Sequence, residues 1–180
     1  MNNKMYLIRE MYDSLSYKLY DELYDFIEND NSLLVGCRRS GKTTIAIADA
    51  LSEGLTNDNM HIGYYTDNGT NRIKIGLLKN KCDEFGIDYS IDSFNNIVML
   101  ANGTTIQVFS KDQVRGRRFD YVISDVSIIT ESEYEDVFLV SRGHFRIVIG
   151  TQNSFTYQYK KNNPDKVFTI AWNNLVSGEW

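Results

Sequence analysis

LLVGCRRSGKTTIAIADAL, residues 33–51, is where the chain changes its hydrophobic period. Leu33 to Val35 form a short apolar run closed by Gly36, the mark of a buried strand. From Lys42 onward the apolar residues recur at helical spacing. Between them, Gly36, Gly41, Lys42 and Thr43 satisfy G-x-x-x-x-G-K-[ST], the phosphate-gripping loop. Glycines let such a loop turn tightly, so that successive N–H groups face phosphate oxygens. Lys42 is placed to reach the β- and γ-phosphates, and the Thr43 hydroxyl to bind Mg²⁺. The positive end of the following helix faces the same anion. The expected nucleotide-binding set is therefore Gly36, Cys37, Arg38, Arg39, Ser40, Gly41, Lys42, Thr43 and Thr44. An incidental glycine-rich turn is the alternative; a strand before the motif and a helix after it disfavour that. Arg38 and Arg39 read either as a cis-acting arginine over the γ-phosphate or as surface arginines paired with an acid.

Such a loop needs a metal-holding strand, and YVISDV, residues 121–126, supplies an apolar run ending near Asp125. In an α/β sheet, ligands sit beyond the carboxyl ends of the strands. Asp125 is therefore expected beside the loop, sharing Mg²⁺ with Thr43; its plainer reading is a strand-end aspartate. The next position, where many ATP-hydrolysing proteins carry glutamate, is Val126, which accepts no proton. Glu131 is the nearest substitute, although Glu131, Glu133 and Glu135 are equally explained as acids in a helix's first turn. Thr151 and Gln152, after the apolar run of residues 145–149, read as γ-phosphate or water sensors, or as a polar strand terminus.

Strand and helix patterns alternate through the rest of the chain. Residues 61–66 read as a strand, 70–86 as a helix closed by Gly86, 131–143 as a helix, and 145–152 and 166–172 as strands. Asn102-Gly103, between two β-rich runs, is a hairpin signal. Upstream, Leu7, Met11, Leu15, Leu19, Leu23 and Ile27 recur every four residues, which predicts one or two amphipathic helices. The tyrosines among them read as core packing or as a shelf for a nucleotide base. The whole predicts an α/β fold of the P-loop NTPase (RecA/ASCE-like) type. It has a mainly parallel sheet, helices on both faces and an inserted β-hairpin, with residues 1–30 as a helical segment and 31–180 as a single ATPase core.

The 180 residues suit one domain. A formal net charge of −5 means that any nucleic-acid contact must come from a local basic patch. Cys37 and Cys82 show no disulfide or zinc spacing, which favours a reducing compartment. His61 and His144 are far apart and read as structural. The amino-terminal stretch is broken by charges and has no apolar run of membrane-spanning length, so a cytoplasmic, membrane-free location is expected.

Together these segments resemble the ATPase domain of a viral (tailed-bacteriophage) terminase large subunit, the motor that packages double-stranded DNA into capsids. The resemblance runs from about Ser32 to Asn153. GCRRSGKTT is similar to the family's phosphate loop, HIGYYTDNGTNRIKI to the strand and helix that follow, and IVIGTQNS to its coupling motif. NGTTIQVFSKDQVRGRRFDYVISDVS is the most specific piece. The resemblance implies that Lys42 and Thr43 hold phosphates and Mg²⁺, Arg38 is the loop arginine, Asp125 the metal aspartate and Thr151 the coupling residue. Arg115 and Gly116 match the Arg-Gly pair before the metal strand. It further implies ATP and Mg²⁺ as cofactors, and double-stranded DNA, a homo-oligomeric ring, or a portal or small terminase as partners. Arg115, Arg117 or Arg118 would then serve a neighbouring subunit's nucleotide, touch DNA phosphate, or merely solvate a loop. The expected length leaves no room for the family's nuclease domain, so nuclease activity is not carried over. Val126 departs from the family's glutamate and keeps two further readings open: a module that holds nucleotide without hydrolysing it, and a RecA-like helicase-type ATPase.

Overall fold

The computed structural model describes residues 3–13, 21–36 and 40–170. Two helices, α1 (Asn3–Asp13) and α2 (Asp21–Glu28), precede β1 (Ser32–Gly36) and α3 (Lys42–Thr56). Then come β2 (His61–Thr66), α4 (Asn71–Phe85), β3 (Tyr89–Asp92), β4 (Ile97–Leu100) and β5 (Thr105–Phe109). The chain continues through β6 (Tyr121–Val126), α5 (Glu131–Val140), β7 (Phe145–Ile149), α6 (Ser154–Asn162) and β8 (Val167–Ile170). The strands make one sheet in the order β3-β4-β5-β2-β6-β7-β1-β8. Pairing is parallel from β5 to β8 and antiparallel across β3, β4 and β5.

Both sheet faces are covered, so the central strands are apolar throughout rather than alternating. Leu34, Tyr64, Ile123 and Val148 face a cluster built with α1, α2, α3 and α4. Their neighbours Leu33, Val35, Tyr65, Val122 and Ile147 face a second cluster built with α5 and flanked by Phe155 and Tyr159 of α6. Successive residues of a strand point to opposite faces, and that period of two decides the chemistry of the site below.

The predicted amino-terminal periodicity corresponds to α1 and α2. Met11, Leu23 and Ile27 are buried, Leu7 is half-buried because Met5 and Ile8 form the inward face of α1 with Met11, and Leu15 and Leu19 lie outside the described residues. The Asn102-Gly103 turn joins β4 to β5, with Gly103 at φ 83°. The insertion is larger than a hairpin, because β3 adds a third antiparallel strand. Its four residues, YSID, carry no apolar run. Its signal lay in the turn that follows, where the Asp92 carboxylate accepts the N–H groups of Phe94 and Asn95 at 3.0 and 3.1 Å. The sequence reading assigns no element between Gln152 and Lys166, yet α6 forms there. Its start is a reciprocal cap in which Asn153 accepts the Thr156 N–H and the Thr156 hydroxyl accepts the Asn153 N–H.

A buried ionic group locks the amino edge of the sheet. Asp49 of α3 is fully buried. Its carboxylate meets Arg146 of β7 at 3.1 Å, Lys4 of α1 at 3.3 Å and the Tyr121 hydroxyl of β6. Arg146 also donates to the Tyr121 hydroxyl at 3.0 Å and to Asp30 at 2.9 Å. Burial alone would raise the Asp49 pKa, but the Lys4 and Arg146 charges and the Tyr121 hydrogen bond outweigh it and hold the carboxyl below its ordinary 3.8. A cleft of about 1130 Å³ opens beside this group, lined by Lys4, Ile27, Asp30, Glu53 and Arg146 among others. It lies at the sheet edge opposite the phosphate loop.

Asp49→Asn leaves Arg146 buried without its main counter-charge. The expected loss is about 3–5 kcal/mol of unfolding free energy at pH 7, read by urea denaturation. Because the folded pKa is depressed, the Asp49 contribution is present above pH 3.8 and disappears as pH falls below it. The stability gap between the two proteins therefore narrows on acidification.

Candidate functional site

The phosphate loop leaves β1 at Gly36, where a side chain would force its neighbours to shift. A Cβ on Gly36 would lie 2.5 Å from Ser40 Oγ and 3.1 Å from the Lys42 stem. Gly41 sits at φ 76° immediately before α3, a left-handed backbone that glycine adopts without penalty. Its carbonyl accepts the Ile45 N–H at 2.9 Å, starting the helix. Ser40 is buried and its hydroxyl accepts from Lys42 Nζ at 3.4 Å. Unlike α5 and α6, which begin with reciprocal side-chain caps, α3 has no capping side chain and no acid in its first turn. The Thr43 and Thr44 N–H groups, in its first turn, keep their capacity for an anion. Cys37, Arg38 and Arg39 lie outside the described residues.

Asp125 reaches this loop across the carboxyl edge of the sheet. Lys74, in the first turn of α4, carries the link: its Nζ is 2.5 Å from Asp125 Oδ2 and 3.5 Å from Thr43 Oγ1. Both oxygens expected to hold a metal thus converge on one cationic atom. The Tyr64 hydroxyl also donates to Asp125 Oδ2, at 3.0 Å, and Thr66 Oγ1 donates to the Asp125 carbonyl at 3.2 Å. Burial first, and then the Asp125 charge and hydrogen bond, push the Tyr64 phenol well above its ordinary range, so it remains a neutral donor. The donor set fits Mg²⁺, a small hard cation that takes one or two protein oxygens and fills its remaining positions with phosphate and water. Among the described residues, no cluster of three or more His, Cys, Asp or Glu offers an all-protein metal cage. Sequence reasoning missed Lys74, which lies 51 positions from Asp125 in the chain.

Val126 points the other way. It is 6% exposed and packs with Val122, Ile129 and Ile149 in the α5-side cluster. A carboxylate does stand nearby, on the neighbouring strand. Thr66 is the register partner of Asp125, so Asp67 comes level with Val126. The Asp67 carboxylate accepts the Ser127 N–H at 3.0 Å and the Ser127 hydroxyl at 2.7 Å. Asp67 was also missed, because a polar residue after an apolar strand reads as a turn. Glu131 is exposed at the start of α5. Glu133 caps that helix through Thr130 and meets Lys111 at 3.5 Å, in keeping with helix-start electrostatics.

Thr151 is exposed at the carboxyl end of β7, and its N–H donates to the Ser127 carbonyl at 2.9 Å; Gln152 beside it is half-buried. Arg115 and Arg118 are exposed, with Gly116 at φ 77° between Arg115 and Arg117. Arg117 is turned inward: its Nε donates to the Gln113 carbonyl and its guanidinium lies 5.9 Å from the Phe109 ring centre. His61 stacks on Phe119 at 4.9 Å and bonds Thr105, the structural role expected of it. Cys82 is a buried free thiol. No described helix is long and apolar enough to cross a membrane.

Neither a family sequence model nor a curated protein sequence matches this chain. Solved structures do. The large terminase ATPase domain of Thermus phage P74-26 superposes with a TM-score of 0.66 at 17% identity, covering 93% of this chain and 87% of that one. The large terminase of bacteriophage HK97 gives 0.68 at 13% identity, covering 94% of this chain and 43% of its own. The large terminase of a thermophilic bacteriophage, solved in complex with ATP-γ-S, gives 0.67 at 12% identity, covering 99% and 46%. The chain has the fold of a large terminase ATPase domain, and spans less than half of these two longer terminase chains.

Val126→Glu places a carboxylate in an apolar cluster, where burial raises its pKa. A raised folded pKa makes the variant's deficit small near pH 4 and larger as pH rises. The expected loss is about 2–4 kcal/mol at pH 8, read as a melting temperature that falls further below wild type at pH 8 than at pH 5.

Proposed function

We propose that this chain is the ATPase domain of a DNA-packaging motor of the terminase type. One observation carries the reading: a single cation lies within 3.5 Å of both Thr43 Oγ1 and Asp125 Oδ2, next to a loop shaped for phosphate. Lys42 binds the β- and γ-phosphates, and the backbone from Gly36 through Thr44 cradles them, with Arg38 as the loop arginine. Thr43 and Asp125 would hold Mg²⁺, which would supply positive charge to offset the negative charge that develops on phosphoryl transfer. Thr151, tied to the backbone beside Val126, reports the state of the terminal phosphate to β7. Exposed Arg115 and Arg118 serve a neighbouring subunit in a ring or contact double-stranded DNA. A portal or small terminase is the expected further partner.

The water-orienting carboxylate is Asp67 or Glu131. Two contacts favour Asp67: its bonds to Ser127 fix it at the strand edge, whereas Glu131 is exposed on the next helix. The packing of Val126 into the core favours the second reading, a module that binds ATP without consuming it.

Calorimetry with Mg·ADP and phosphate release from Mg·ATP test these roles together. Lys42→Ala is expected to weaken nucleotide binding at least tenfold, about 1.4 kcal/mol. Asp67→Asn should cut turnover about 10²-fold while leaving Mg·ADP affinity within twofold, as loss of a positioned base does; Glu131→Gln should change turnover less than twofold. The opposite ranking assigns the role to Glu131. Binding heat without phosphate release, at high protein concentration and with double-stranded DNA present, selects the module that only holds nucleotide. No binding heat at all rejects both readings.

A further inference from the structure

Lys74 occupies the place where a nucleotide-bound cation belongs. Its side chain is 13% exposed and that of Asp125 8%, so the pair is enclosed rather than solvated. Its position is otherwise unfavourable. Lys74 is the fourth residue of α4, whose first turn holds no acid, and a positive charge near a helix's amino end opposes the helix dipole. Asp125 compensates it at 2.5 Å, and Thr43 accepts from the same ammonium at 3.5 Å. Two ligands of one expected metal are thereby held together by a tethered cation of the protein's own.

We infer that Lys74 is an exchangeable internal cation: it competes with Mg²⁺ for Asp125 and Thr43, and once displaced it pairs with the terminal phosphate. The inference deepens the proposed nucleotide site and rests on that reading. An ammonium and a divalent ion cannot both sit against Asp125 Oδ2 and Thr43 Oγ1, since like charges at that separation repel strongly in an enclosed site. The lysine stem is long and flexible, so its head can move by a few ångströms while α4 stays in place. Metal without nucleotide must expel the ammonium from its counter-charge with nothing to receive it. Metal carried on a triphosphate brings the receiving anion along. The arrangement makes the site selective for the metal–nucleotide complex over free metal, and for a triphosphate over a diphosphate.

The test uses the whole chain and reads binding, not turnover. Mn²⁺ alone is titrated calorimetrically into wild type, Lys74→Gln, Lys74→Met and Lys74→Arg, each first checked for a cooperative thermal transition. Both neutral variants are expected to bind Mn²⁺ at least tenfold tighter than wild type, and Lys74→Arg to stay within threefold of it. Adding Asp125→Asn to Lys74→Gln should abolish the gain. In a second arm, the preference for a magnesium-bound non-hydrolysable triphosphate analogue over Mg·ADP should fall at least tenfold in Lys74→Gln. Equal or weaker Mn²⁺ binding in both neutral variants, no Mn²⁺ binding in any protein, or an unchanged nucleotide preference overturns the inference. If wild type binds no nucleotide while the Mn²⁺ contrast persists, the nucleotide reading fails and the competition at Asp125 stands. If nucleotide binds and the Mn²⁺ contrast is absent, only the competition fails.

Discussion

The meeting of Asp125 and Thr43 at one cation depends on a single strand, β7. Ile149 of β7 is the register partner of Val35 in β1 on one side and of Val126 in β6 on the other. The carboxyl ends of three parallel strands are therefore level. The glycine-rich loop follows one end, Asp125 stands at another, and Thr151 follows the strand between them. Neighbouring strands lie about 4.8 Å apart, so the loop and Asp125 start roughly 10 Å from each other. Thr43, at the first turn of α3, and the long side chain of Lys74 close that gap. A slip of one residue in the β6–β7 pairing would turn Asp125 to the opposite face, and a slip in the β1–β7 pairing would turn the end of β1 instead; either separates the pair.

The same alternation explains Val126. Asp125 belongs to the face covered by α3 and α4, where Tyr64 is its neighbour. Val126 belongs to the face covered by α5, among aliphatic side chains. A strand-end carboxylate at position 126 would need the chain to leave the sheet one residue earlier than it does. Here β6 stays paired through Val126, and the Gly150 N–H donates to the Val126 carbonyl at 3.1 Å. The carboxylate nearest this strand end belongs instead to an adjacent strand tip: Asp67, on the β2 side, is bonded to Ser127, the first residue beyond β6.

What the sequence displayed was local. Gly36, Gly41, Lys42 and Thr43 are contiguous and carry their own mechanics, and the strand around Asp125 is an unbroken apolar run. Alternating periods gave the fold class and most elements. What stayed hidden was set by tertiary proximity or by polarity without period. Lys74 and Asp67 are ordinary polar residues until the sheet brings β2 and α4 against β6. YSID offers only Tyr89 and Ile91 as an apolar face, with Tyr89 half-buried against the core, a pattern too short to mark β3 without the turn after it. The fully buried Asp49 sits mid-helix in IAIADAL, where a lone acid reads as solvent-facing; Arg146, far along the chain, is what makes its burial tolerable.

The two ends of the sheet divide the work. At the amino edge, Asp49, Arg146, Lys4 and Tyr121 satisfy one another across α1, α3, β6 and β7, and that network needs no ligand. At the carboxyl edge the charges are provisionally paired. Lys74 leans on Asp125, Lys42 on a serine hydroxyl, and α3 begins without a side-chain cap. Arg146 and Asp125 lie on adjacent strands, with Arg146 two residues before Val148, the register partner of Asp125. The strands holding the site are thus clamped at one end by charges that cannot rearrange cheaply. At the carboxyl edge, by contrast, the Lys74 head group is held on a long, flexible stem. The exposed Arg115 and Arg118 are set on a turn rather than in the clamped sheet.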